Sequence, residues 1–236
     1  NLIENDLDPL GYAIELGHSL GLEIHAWVNT YILWSSSSKP DDSSHLYYTH
    51  PEWMEVNIHG KSDSKINIDM PQSLNWEGVF LSPNHPEVNN YLSSVFFELI
   101  DRYNIDGLHF DYIRFQDDIY GYNKVGRNIF ESRHGFDPFD IERNIISTKY
   151  GWSLSEIDSV KKIWQNYKTD NINNLISNIK NRIDTLDKDI ELSAAVKTNP
   201  LISKKKWSQD WKSWISKDLV DFVVTMNYDP SFLNFN

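Results

Sequence analysis

Four times along this 236-residue chain, a segment with helical spacing of apolar residues runs straight into a short segment that alternates with a period of two. Asp8-Pro9 is an N-cap followed by proline at the first helical position, and Leu10, Ala13, Ile14 and Gly17 continue at helical spacing to a stop at Gly21. A strand over 22–29 follows. From Pro86, the residues Val88, Tyr91, Leu92, Val95, Phe96, Leu99, Ile100 and Tyr103 keep the i, i+3, i+4 pattern. They lead into "DGLHFDYIRF" at 106–115. A helical region over 157–186 precedes a strand over 190–198, and another over 207–217 precedes a strand over 220–228. Repeated helix–strand order demands parallel strands covered by helices. The serine-rich stretch at 35–44 reads as a long loop.

The polar residues sharpen this reading. In the first strand Leu22, Ile24, Ala26 and Val28 form an apolar face opposed by His25, Trp27 and Asn29. In the second, Leu108, Phe110 and Tyr112 oppose His109 and Asp111. In the third, Ile190, Leu192, Ala194 and Val196 oppose Ser193, Ala195 and Lys197. In the fourth, Phe222, Val224 and Met226 are expected under helices, with Val223, Thr225, Asn227 and Asp229 on the other side. Polar groups thus collect at the C-terminal ends of the strands. Burying one without a partner costs roughly 2–7 kcal/mol, so four strands carrying them at one end imply a shared pocket. An open doubly wound sheet would show nearly continuous apolar strands, commonly with a glycine-rich phosphate turn, and the chain has neither GxGxxG nor GxxxxGK[ST]. The expected fold is a (β/α)8 TIM barrel, of which the chain carries four central βα units. Residues 1–236 are then part of one catalytic barrel domain lacking its first and last strands.

Charge excludes other classes. The net charge is −12, and the only dense basic run is Lys204-Lys205-Lys206, so neither nucleic acid nor an anionic membrane surface is an expected partner. No run approaches the roughly 20 apolar residues of a membrane-spanning helix. Cysteine is absent, which removes disulfides and thiolate sites. Trp (9) and Tyr (12) are abundant, as suits cores and sugar-stacking surfaces alike.

Several segments, taken in order, resemble the glycosyl-hydrolase-like family 10 proteins. "DPLGYAIELGHSLGLEIHAWVNTY" is similar to the family's entry into a His-Ala-Trp-x-Asn strand. "HPEW" at 50–53 and "LSPNHPEVNNYL" at 81–92 resemble its next loop and helix start, and "YNIDGLHFDYIRF" its signature strand. "YGYN" and "HGFDP" match the insertion after that strand. "DWKSWISKDLVDFVVTMNYD" resembles its Asp-Trp-x-x-Trp helix and Met-Asn-Tyr strand. The resemblance implies a (β/α)8 barrel of glycosidase type, an exported location and a polysaccharide substrate, including bacterial cell-wall glycan. Family members carry two strands before the His-Ala-Trp strand and more after Met-Asn-Tyr, so the chain reads as the middle of a longer protein.

Glycoside hydrolysis generally uses two carboxyl groups. Asp111, at a strand end, is the first candidate, and its Asp-Gly-x-x-x-Asp setting also resembles the fourth strand of amylase-type barrels, where the equivalent aspartate is the nucleophile. The alternative is a structural aspartate paired with Arg114 or His109. Asp229 is the candidate second carboxylate, with Asp117 and Asp118 in reserve; Glu23 and Glu191 lie at the wrong strand ends, and Asp106 reads as a turn residue at the opposite face. Chitinase-type chemistry is not expected, because Ile113 stands where that strand carries its catalytic glutamate. Candidate sugar-binding residues are His25, Trp27, Asn29, Trp34, His109, Tyr112, Arg114, Lys197, Asn227 and Tyr228, with Lys197 and Arg114 suited to a carboxylated sugar. His25, His109 and Asp111 lack HxH or HExxH spacing, so neither a metal nor another cofactor is expected. Trp207, Trp211 and Trp214 read as helix packing. The other class of function is a glycan-binding barrel without catalysis.

Overall fold

The structure, a computed structural model, describes residues 8–36, 38–65 and 76–228. In chain order its elements are α1 (Pro9–Ser19), β1 (His25–Asn29), β2 (Ile32–Trp34), α2 (Leu46–Thr49), β3 (Val79–Phe80), α3 (Pro86–Arg102), β4 (Gly107–Asp111), α4 (Lys124–His134), α5 (Phe139–Glu142), α6 (Ile146–Tyr150), α7 (Leu154–Asp184), β5 (Glu191–Val196), α8 (Pro200–Trp207), α9 (Trp211–Ser216) and β6 (Phe222–Thr225). The four long-range strands pair in parallel in the order β1-β4-β5-β6. Each lies beside its predecessor, with no reversal of strand order. That is the winding of a (β/α)8 barrel and not of a doubly wound sheet. β2 and β3 form a small antiparallel pair beyond the end of β1.

Local chemistry fixes the ends. The Asp8 carboxylate accepts from the N–H groups of Leu10 and Gly11, and Pro9 takes the first helical position, so α1 starts where the sequence says. Ser153 and Glu156 close a capping box on the 31-residue α7. Aspartates at the strand starts act as staples between neighbours. Asp106 Oδ2 accepts from Ile24 N (2.6 Å) and pairs with His18 Nε2 (2.8 Å), and Asp221 Oδ2 accepts from Leu192 N (2.6 Å).

The core lies between the sheet and its helices. Leu108, Phe110, Leu192, Ala194 and Val196 are buried there against Val88, Phe96, Ile100, Ile172, Ile176 and Ile179, with the Phe96 and Phe110 rings edge to face at 5.1 Å. The segment after β4 builds a second apolar cluster, Tyr122, Phe130, Phe136, Phe139, Ile141, Ile146, Val160 and Trp164. The long α7 joins the two, packing its first half on the insertion and its second half on the sheet.

Two expectations fail. The register sets Phe222 beside Ser193 and Val224 beside Ala195, so Phe222, Val224 and not Val223, Thr225 share the face of His109 and Asp111. Val223 packs on the main core instead. Both faces of this strand are apolar, so alternation alone could not orient it. The helix expected over 207–217 is the shorter α9, and Trp207 instead ends a separate preceding helix, α8. Asn199 caps α8 from Leu201 N and Ile202 N, Pro200 opens it, and Ser208 ends it in the left-handed conformation (φ +54). The lysine run therefore closes α8, at the favourable end of its dipole.

Candidate active site

At the C-terminal end of the sheet, Asn29 of β1 and Asp111 of β4 are register partners. Both Asp111 oxygens are engaged: Oδ1 accepts from Tyr112 N at 2.7 Å, and Oδ2 accepts from the Trp27 indole Nε1 at 3.2 Å. Tyr112 adopts φ +50, a left-handed conformation that costs a tyrosine on the order of 1–3 kcal/mol and recurs at functional sites. The twist ends β4 and turns the Tyr112 amide back onto the carboxylate. Neither Arg114 nor His109 hydrogen-bonds Asp111; its described partners are the indole and the amide.

Trp27 stands on the interior face of the sheet and is 66% exposed. One edge of the indole meets the His109 ring at 4.8 Å. His109 is buried, and its Nδ1 lies 2.8 Å from Ser193 Oγ. Burial pushes its pKa down, against the opposing pull of Asp111, so it serves as a neutral hydrogen-bonding imidazole near pH 7. Trp27, His109, Asp111 and Ser193 thus form one contiguous patch on the interior face.

Arg114 is buried, and its Nη2 pairs with Glu77 Oε2 at 2.7 Å. Its guanidinium carbon lies 5.0 Å from the Tyr112 ring and 5.9 Å from the Phe80 ring. Glu77 was not legible in the sequence: it sits in a segment with no periodicity, immediately before β3, and reaches the site only through folding. Its ion pair makes Arg114 a poor partner for a carboxylated sugar. Lys197 lies just past β5. Burial and then Arg114 lower its pKa, while Glu77 and Asp111 oppose the shift. Its Nζ lies 5.2 Å from the Trp207 ring, and Gln209 fixes its backbone, accepting from Lys197 N at 2.9 Å.

The other predicted residues divide. Trp34 and Asn29 line a cleft of about 200 Å3 with Ile32, Leu33, Ser35 and Ser36. The Trp34 indole donates to Ser38 O at 2.6 Å and packs its ring on His45. Tyr228 is exposed and lies in the charge neighbourhood of Tyr112, together with Glu77 and Asp111. Asn227 turns back onto Thr225, donating to its Oγ1 at 3.2 Å. His25 lies at the opposite end of β1, over Gly107 and within 3.8 Å of Glu191, so the fold separates it from Asp111. Asp117 pairs with Lys206 at 3.4 Å, and the hydrogen bond with Asp117 raises the pKa of Asp118. Asp229 lies outside the described residues. Among the described residues, no three histidine, aspartate or glutamate side chains form a metal-binding group.

Chemically, the patch offers an ionisable carboxylate in a fixed orientation beside an exposed aromatic face, with neutral and cationic hydrogen-bond donors around it. An exposed aromatic face suits stacking on a flat apolar ring face, and the patch holds one of the two carboxyl groups that glycoside hydrolysis generally uses.

The sequence profile of the glycosyl hydrolase-like 10 family matches residues 2–236. Glycosyl hydrolase DigH of Escherichia coli (strain CFT073) is 22% identical over 94% of this chain and 46% of its own length. Glycosyl hydrolase YngK of Bacillus subtilis (strain 168) is 24% identical over 75% of this chain and 27% of its own. The chain therefore spans about half or less of the length of these relatives. The PgaB (BpsB) glycoside hydrolase domain of Bordetella bronchiseptica superposes with a TM-score of 0.53 at 16% identity, covering 94% of this chain and 55% of that one.

Proposed function

From the premise that the chain belongs to the glycosyl hydrolase-like 10 family, we propose that it is part of the barrel of a glycoside hydrolase that cleaves a polysaccharide by carboxylate catalysis. The observation that carries the reading is the Asp111 carboxylate, held on both oxygens at a strand end, beside a tryptophan with most of its surface free. In this reading the Trp27 face stacks on a sugar ring, and Asp111 acts as nucleophile or as the base that activates water. Asp229 supplies the second carboxyl group, and Lys197, Asn29, Tyr112 and Tyr228 meet sugar hydroxyls. Lys197, in no ion pair among the described residues, favours a glycan bearing carboxylates, of which bacterial cell-wall glycan is one, and an exported location belongs with such a substrate. The separation of the two carboxyl groups then sets the outcome: about 5–5.5 Å for retention, about 6.5–9.5 Å for inversion.

A glycan-binding barrel without catalysis is the second reading. What favours it is that Glu77, which shares Tyr112 and Lys197 with Asp111 as charge neighbours, is committed to Arg114. The two are separated by incubating the full-length protein and its Asp111→Asn variant with a panel of polysaccharides that includes peptide-free peptidoglycan strands, with products read by mass spectrometry. Cleavage by the parent alone supports the hydrolase. Binding by both without cleavage supports the second reading.

A further inference from the structure

The insertion after β4 encloses a cavity that shares no residue with the Asp111 patch. It holds about 320 Å3, at the low end of the roughly 300–1,000 Å3 of small-molecule sites. Its walls come from five separate parts of the chain, one of them the stretch of α7 that carries Lys168. Ile58, Ile119 and Ile141 give apolar surface, Asp118 and Glu142 stand at the rim, and Lys161 and Lys205 are exposed beside them.

Lys168 is the feature that asks for a ligand. It is 3% exposed, yet the one hydrogen bond of its ammonium among the described residues is to Tyr120 O at 3.5 Å, the outer limit for such a bond. No ion pair within 4.0 Å among those residues includes it, although buried Glu55 is its strongest electrostatic neighbour. Its ammonium lies 5.7 Å from the Phe115 ring and 6.0 Å from Trp164. An ammonium has three N–H donors, and leaving them unmet in a buried place is costly.

The "YGYN" motif explains how the lysine is held there. Tyr120 gives the carbonyl. Gly121, at φ +114, leaves room for the side chain, since an added Cβ would fall 2.7 Å from Lys168 Cδ. Tyr122 lines the wall and donates to Glu142 Oε1 at 2.9 Å. Asn123 ties the segment down through Glu52 O and Met54 O. Gln165 spends its amide N–H groups on Lys204 O and Ser208 Oγ, and no hydrogen bond among the described residues uses its side-chain oxygen.

We propose that this cavity is a second binding site, for a small hydroxylated carboxylic acid of about monosaccharide size. Lys168 takes the carboxylate, with Lys161 and Lys205 adding positive charge at the mouth. Asp118, Glu142 and the Gln165 oxygen accept from the hydroxyls. The two rim carboxylates set the class: they disfavour a bare or multiply charged anion and reward one that carries hydroxyl donors. The site does not depend on Asp111 being catalytic.

The test is calorimetric titration of the full-length protein with D-glucuronate, and with D-glucose as the neutral counterpart. Millimolar binding of glucuronate, with glucose weaker by about tenfold or more, is expected. Lys168→Met should abolish binding while the protein still melts cooperatively, and an Asp111→Asn/Trp27→Ala variant should bind as the parent does. Should Lys168→Met not fold, the exposed pair Lys161→Gln/Lys205→Gln should weaken binding about two- to fivefold. The proposal is overturned by no glucuronate binding, by equal binding of glucose, by unchanged binding in the lysine variants, or by loss of binding in the Asp111/Trp27 variant.

Discussion

Glu77→Ala probes how the candidate site is braced. Arg114 is 3% exposed at its side chain and Glu77 35%. The other described hydrogen bonding of Arg114 is weak: Nη1 donates to Phe115 O at 3.3 Å, and Nε is buried with no described partner. Removing one partner of a fully buried pair costs about 3–5 kcal/mol, whereas an exposed pair contributes roughly 0–1. Half of this pair is reached by water, so a loss of about 2 kcal/mol is expected, or about 4–8 °C in Tm for a domain of this size. The same change should lower glycan cleavage, because Arg114 packs against the Tyr112 ring, whose amide holds Asp111. The assay is urea unfolding of the parent, Glu77→Ala, and Glu77→Ala/Arg114→Met. The double variant should regain most of the loss, since no unpaired charge is left buried. A single-variant loss below about 0.5 kcal/mol, or a double variant no better than Glu77→Ala, refutes the bracing argument.

Other outcomes follow from the same geometry. In Gly107→Ala the new Cβ would fall 2.0 Å from His25 Nδ1, so a loss of about 1–3 kcal/mol is expected, with partial rescue by His25→Ala, checked by thermal melts. Burial raises Glu55 to about 8 and Asp63 to about 7. The folded state then binds more protons than the unfolded one between their ordinary range near 4 and those values. Stability should fall as pH rises across that window, and Glu55→Gln should flatten the decline in urea titrations at pH 5 and 8. His109 has a depressed pKa, so it binds a proton less readily when folded; its contribution should be lost as pH drops through the ordinary histidine range near 6.5, read by NMR titration of the ring. Among the described residues Trp27, Phe222 and Val224 are exposed on the interior face and β1 and β6 each pair on one side only, so the 236 residues expressed alone should aggregate; a cooperative melt as a soluble monomer would contradict that.

Much of the fold was legible because β1, β4 and β5 each have one face that is plainly more apolar, and the helices before them repeat at helical spacing. β6 defeated the same rule, because Phe222 and Val224 are as apolar as the residues packed beneath the helices. The hairpin of β2 and β3 is too short to show a period, and the break at Ser208 follows from a single left-handed residue. At the site, Asp111 and Trp27 stood out as polar or bulky residues on interior positions of a strand. What the sequence could not reveal was their partnership, an indole N–H donated across two strands, or the capture of Arg114 by Glu77 from a segment of irregular structure. His25 shared the parity of Trp27 and Asn29, but parity gives the face of a strand and not the height along it.

The most direct test is the initial rate of glycan cleavage by Asp111→Asn against the parent protein, with glycan affinity measured on the same samples. A loss of about a thousandfold or more in rate, with affinity kept within a few fold, would mean that Asp111 acts in the transition state and not in binding. A variant that cleaves within about tenfold of the parent would contradict the account and move the chemistry away from the end of β4.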